Sequence, residues 1–222
     1  MNGVRFLLVH SPVVGPATWG WVADALVSRG HTVVLPDLRD AASIGDPIAF
    51  AGAAAAAETS GEVVVVVGHS GAGSVVPLVA AAIPRVQGRV FVDAGVPPCE
   101  GPFRAGGEFL EVLRGRASDG VLPVWSQWWG EGIMRTLVFD DKRRRSIERE
   151  LPTVPLAFFE APLTSPAGWC SGDGAFILLS NAYRSDANRA ASLGWPVVER
   201  LGSHLDIAND EDAIADALER IC

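Results

Sequence analysis

The chain has 222 residues, a formal net charge of −8 and 49% hydrophobic residues, which suits one domain able to bury on the order of 70% of its unfolded surface. The acidic balance argues against nucleic acid as a partner, because phosphate binding depends on clustered Lys and Arg. The apolar runs stay far below the roughly 18 residues of a membrane span, so no membrane partner is expected either.

In chain order, Met1-Asn2-Gly3-Val4-Arg5 leads directly into an apolar strand at residues 4–9, where a targeting signal would show an apolar stretch and a cleavage site. A helix over 19–29 and a strand over 32–35 follow. The alanine-rich stretch 47–59 reads as a second helix, since alanine is the best helix former and packs closely on a sheet. Residues 63–67 are five consecutive valines, a pattern expected of a strand buried on both faces.

That strand runs into Gly68-His69-Ser70-Gly71-Ala72-Gly73. A serine on a tight strand-to-helix turn, with small residues at Gly68 and Ala72 to let backbones pass, has the layout of a nucleophile elbow. The helix expected over 73–83 would point its amino end at the serine, so that the Gly71 N–H faces a developing oxyanion. A fourth strand is expected over 89–92.

The rhythm then breaks. From Val96 to about Pro166 prolines, glycines and tryptophans replace strand–helix alternation, and the segment is read as a cap over the carboxyl end of the sheet. Trp125, Trp128 and Trp129 are candidates to line a substrate pocket there, or else to form the cap's own core. Lys142-Arg143-Arg144-Arg145, flanked by Asp140, Asp141, Glu148 and Glu150, reads as an ion-paired helix face rather than a polyanion site. Alternation resumes with strands over 176–179 and 197–200 and helices over 184–193 and 211–221, which implies a parallel sheet covered on both faces.

A serine hydroxyl needs a base within hydrogen-bond reach. Of the four histidines, His10 ends the first strand, His31 sits in a turn, and His69 precedes Ser70 and points away from it. His204, in the loop after the last strand, lies on the same sheet edge as the serine and is the candidate base. The three cysteines, Cys99, Cys170 and Cys222, are odd in number and lack paired spacing. They argue against a disulfide framework and a zinc site, and a reducing cytoplasm is expected.

Taken together, the Gly-His-Ser elbow, the His10-Ser11-Pro12 loop and the late Gly202-Ser203-His204 resemble the α/β-hydrolase superfamily over nearly the whole chain. The likeness is to its small esterases and hydroxynitrile lyases, and the first two strands of the full family sheet are missing. The resemblance implies an α/β-hydrolase fold with about six parallel strands, a core of residues 1–95 and 167–222, and a cap at 96–166. It also implies a Ser-His-acid triad, no cofactor and no metal, acting on a small-molecule ester or similar acyl bond.

For the acid, Asp93 at the end of the fourth strand is preferred. Asp186 is the alternative, although the usual position after the fifth strand falls nearer Arg184 and Asp186 also suits a helix cap. Asp206, Asp210 and Asp212 suit capping of the last helix. The second oxyanion donor of the family falls on Pro12, which has no N–H. Val13 is therefore the candidate, with Ser11 Oγ or an incomplete hole as alternatives. An incomplete hole leaves room for a lyase or cyclase, and the fold alone also admits an inactive receptor. A dinucleotide fingerprint counted from Gly71 fails at Val76, where a small residue would be required.

Overall fold

The computed structural model describes residues 3–130 and 132–222. Met1 and Asn2, part of the start read above for a targeting signal, lie outside the described residues. Six parallel strands form one sheet: β1 (Arg5–Val9), β2 (Thr32–Val34), β3 (Val64–His69), β4 (Val86–Val92), β5 (Gly174–Leu178) and β6 (Val197–Glu199), in the order β6-β5-β4-β3-β1-β2. This is the expected fold class. The valine run lies in the middle, paired with β1 on one side and β4 on the other, and every residue of β3 is buried.

Side chains alternate between faces along a strand. Leu7, Val9, Val66, Phe91 and Phe176 pack on one side with the helix Pro47–Ala56 and the helix Val76–Ala82. Phe6, Leu8, Val65, Val67 and Ile177 pack on the other, against the helices Ala17–Ser28 and Glu211–Ile221. Helix ends follow local signals. Asp46 accepts from the Ile48 N–H ahead of Pro47, and Asp210 caps the last helix through Ala213 N–H.

One expected helix differs. Residues Ser70–Ser74 form a 3-10 turn, and the α-helix starts only at Val76. Pro77 supplies no N–H and restricts the residue before it, which confines it to the first turn of a helix that begins there. Gly71 is thus presented by a short, tight turn.

Between β4 and β5 the chain leaves the sheet. Two short antiparallel pairs, Pro102–Phe103 with Leu163–Thr164 and Val121–Leu122 with Val154–Pro155, tie this segment together with helices Gly107–Arg114 and Asp141–Glu148. The basic run lies on the second helix. Arg144 pairs with Asp141, whereas Arg143 reaches across to Glu211 and the Ala208 carbonyl and lies over the Trp21 ring. Those contacts dock the segment onto the core.

The cysteine expectation is corrected here: Cys99 and Cys170 form a disulfide across 71 residues of sequence, and Cys222 is free. Both cysteines lie at the roots of the excursion, one just after β4 and the other just before β5. Spacing in the sequence could not show a pairing between two residues that only the folded excursion brings together. Among the described residues no helix is long and apolar enough to cross a membrane.

Candidate active site

In a parallel sheet all carboxyl ends share one edge, so residues that follow β3, β4, β5 and β6 converge although they are far apart in sequence. Ser70 follows β3 with φ +56°, and Asp93 follows β4 with φ +42°. Both are left-handed conformations that an L residue adopts at a cost of roughly 1–2 kcal/mol, held by the surrounding packing. At the serine turn that packing is close. A Cβ on Gly68 would stand 2.3 Å from Val76 Cγ2, and one on Gly73 would stand 2.3 Å from the Gly95 carbonyl oxygen.

The three side chains singled out in the sequence come together. Ser70 Oγ–H donates to His204 Nε2 at 2.9 Å, and His204 Nδ1–H donates to Asp93 Oδ2 at 2.7 Å. Asp93 is fully buried and accepts three further bonds, from the Leu179 and Ser180 N–H groups and the Ser180 hydroxyl. Burial alone pushes this carboxyl upward, but the bonds from His204 and Ser180 outweigh it and hold it below the usual aspartate range. Asp186 takes no part: its Oδ1 accepts from the Val96 N–H at 2.8 Å, and burial raises its pKa. Asp206 accepts from Ser203 N–H and Asn209 Nδ2–H, ordering the loop that carries His204.

The other histidines serve packing. His69 Nε2–H donates to the His204 carbonyl oxygen, and the two rings lie 4.6 Å apart. Burial, with the neighbouring His204, lowers its pKa to about 3, so it stays neutral. His10 Nδ1–H donates to the Ser11 carbonyl while its Nε2 accepts from Leu38 N–H, and burial lowers its pKa to about 4. His31 accepts from Val4 N–H and meets Glu219.

Ser70 and Gly71 open onto a cavity of about 620 Å³, walled largely by Phe103, Phe109, Phe158, Phe159, Val96 and Leu163. Among the described residues that line it, none of Trp125, Trp128 and Trp129 appears. Trp128 is buried between Phe109 and Phe159 with its Nε1–H on the Pro123 carbonyl, Trp129 is 47% exposed beside Arg116, and Trp125 sits 6.4 Å from the His204 ring. The indole N–H of Trp128 needs a partner and finds it in the backbone around it, which turns that ring into the packing of its own segment and leaves phenylalanines facing the cavity.

Of the two expected oxyanion donors, Gly71 lines the cavity, whereas the Val13 side chain is buried in the core. Ser11 Oγ and the Pro12 ring press on Gly71: a Cβ there would stand 2.9 and 3.1 Å from them. The sequence reading missed Tyr183. This tyrosine also lines the cavity, its ring stacked on His204 at 5.3 Å and its hydroxyl 3.4 Å from Ser70 Oγ. The available signal was position, because it stands next to the place after β5 where the family's acid is usual.

A parallel sheet with a serine turn after its central strand and a histidine after its last defines an α/β-hydrolase. The chain belongs to the alpha/beta hydrolase family, which it matches over residues 6–217. No curated protein matches it in sequence. Among solved structures it is similar to an extracellular alpha/beta-hydrolase from a Paenibacillus species, at 18% identity and a TM-score of 0.77 with 98% of each chain covered. It is also similar to polyneuridine aldehyde esterase, at 19% identity and a TM-score of 0.75 with 99% of each chain covered. A third is tomato methylketone synthase I, at 15% identity and a TM-score of 0.74, covering 100% of this chain and 98% of that one. At these identities the likeness is one of fold.

Proposed function

We propose that the protein is a serine hydrolase that cleaves an ester or similar acyl bond of a small, largely apolar molecule. The observation that carries this reading is the continuous Ser70–His204–Asp93 hydrogen-bond chain at the mouth of a phenylalanine-walled cavity. Ser70 Oγ attacks the carbonyl carbon as His204 Nε2 takes its proton. Asp93 holds the imidazole with Nδ1 protonated and stabilises the imidazolium that forms. The Gly71 N–H, with Val13 N–H as the second donor, faces the oxyanion. The proton passes to the leaving oxygen, and water, deprotonated by the same imidazole, then releases the acid and restores Ser70. The cycle balances without a cofactor.

The esterase named among the similar structures supports the acyl-bond reading, and the apolar walls support an apolar substrate. The disulfide favours an oxidising compartment, since such bonds seldom persist in a reducing cytoplasm. A second reading, in which Ser70 and His204 act as an acid–base pair without an acyl-enzyme, is favoured by Pro12, which lacks the N–H the oxyanion loop would normally offer.

A fluorophosphonate probe tests the first reading. Labelling of one serine, lost in Ser70→Ala together with hydrolysis of short acyl esters, is the expected result. Absence of both labelling and ester turnover in the native protein overturns it. An acyl-enzyme trapped on Ser70 and seen by mass spectrometry separates the first reading from the second.

A further inference from the structure

The hydroxyl of Tyr183 lies 3.4 Å from Ser70 Oγ. The serine proton is already committed to His204 Nε2, so in this pair the phenol is the donor. An O–H···O bond is normally about 2.7–2.8 Å long, and the phenol proton is therefore weakly used in the resting site. The ring lies on the imidazole with an interplanar angle of 11°, and it forms part of the cavity wall. Tyr183 thus approaches Ser70 from the side of His204, where the proton is handed on, whereas Gly71 packs against Ser11 and Pro12. An atom this close to Oγ meets a substituent of any carbonyl carbon that Oγ attacks.

Resting on the serine-hydrolase reading, we propose that Tyr183 is a catalytic residue whose phenol donates a hydrogen bond to the leaving oxygen of the ester, selecting esters of ordinary alkyl alcohols. In the acylation step the Oγ–carbonyl carbon bond forms and the bond from that carbon to the leaving oxygen breaks. The Ser70 proton travels through His204 Nε2 to the leaving oxygen, and the alcohol departs. Tyr183 keeps its own proton throughout and shares it only as a hydrogen bond. The more basic the leaving oxygen, the more charge it carries in the transition state and the more this bond contributes. Burial raises the phenol pKa to about 12, so it remains a donor at neutral and mildly basic pH.

The test compares an alkyl ester and the p-nitrophenyl ester of one carboxylic acid that the native protein turns over. In Tyr183→Phe, Ser70 is expected to react with fluorophosphonate as it does in the native protein. The kcat/KM for the alkyl ester is expected to fall roughly 10- to 100-fold, while that for the p-nitrophenyl ester stays within about 3-fold. Equal losses on both esters, which is what disturbed placement of Ser70 or His204 would give, overturn the proposal, as does no loss on either.

Tyr183 is the sole tyrosine in the sequence, so biosynthetic replacement of tyrosine by 3,5-difluorotyrosine alters this position alone and preserves its shape. With the more acidic phenol the alkyl ester is expected to lose turnover at a lower pH than with the native residue, while the p-nitrophenyl profile stays in place. Unchanged or identical profiles overturn the proposal independently of how Tyr183→Phe folds. A native protein that neither hydrolyses esters nor labels at Ser70 removes the serine-hydrolase reading itself, a result distinct from these.

Discussion

At Asp93 four hydrogen-bond donors converge on one buried carboxylate, two from backbone and two from side chains. An amide in its place has one acceptor oxygen, and its NH2 group opposes His204 Nδ1, which favours the wrong imidazole tautomer. Asp93→Asn is therefore expected to lower kcat by roughly 10³- to 10⁴-fold. Asp186→Asn keeps an acceptor for Val96 N–H and is expected to hold turnover within about 3-fold. Steady-state kinetics on one ester decide between them, and the opposite ranking overturns the assignment of the acid. The preference for Asp93 was legible because β4 was recognisable and an aspartate ends it. Tyr183 was marked only by its position after β5, since nothing in Asn181-Ala182-Tyr183 announces that a tyrosine ring will lie on a histidine 21 positions later.

Among the elements, the excursion between β4 and β5 combines short antiparallel pairs, short helices and one covalent tie. The Cys99–Cys170 bond closes the loop at its roots, beside Pro97 and Pro98 in the cavity wall and Trp169, whose Nε1–H donates to the Pro98 carbonyl. Cross-linking a loop of this length constrains the unfolded chain by about 4 kcal/mol. The double variant Cys99→Ser/Cys170→Ser is expected to lower the denaturation midpoint accordingly. Thiol titration of the unfolded, unreduced protein should find one free thiol, Cys222, and a count of three overturns the pairing. This segment was the least legible part of the sequence because its aromatics follow no period of 2 or 3.6. A tryptophan cluster and a phenylalanine wall therefore look alike until the chain is folded.

For the whole molecule, two fully enclosed histidines set the response to acid. His10 and His69 are neutral when folded, with pKa values lowered to about 4 and about 3 from 6.5. The unfolded chain binds those protons at higher pH than the folded one, so stability is lost as pH falls below about 6.5 and continues to fall until the folded values are reached. At pH 5 each imidazole costs about 2 kcal/mol relative to neutral pH. Asp93 adds to the same trend at lower pH, because its depressed pKa contributes stability that disappears as the carboxylate is protonated. Urea midpoints at pH 7 and pH 5 should differ by an amount equivalent to several kcal/mol, and equal midpoints contradict the neutral, buried state of both rings.

Local pattern determined the six strands, their parallel arrangement and the serine turn, because a valine run bounded by small residues has few other ways to bury itself. It also placed a histidine and an aspartate at strand ends on one sheet edge, and that edge is where they meet Ser70. Tertiary structure alone decided the rest: the disulfide, the tyrosine on His204, the neutral imidazole of His69 beneath the site, and phenylalanines in place of tryptophans around the cavity. Periodicity and turn chemistry act over a few residues and are written along the chain. Contacts between segments 21 to 135 residues apart depend on how whole elements pack, and a single sequence does not carry that packing in any local signal.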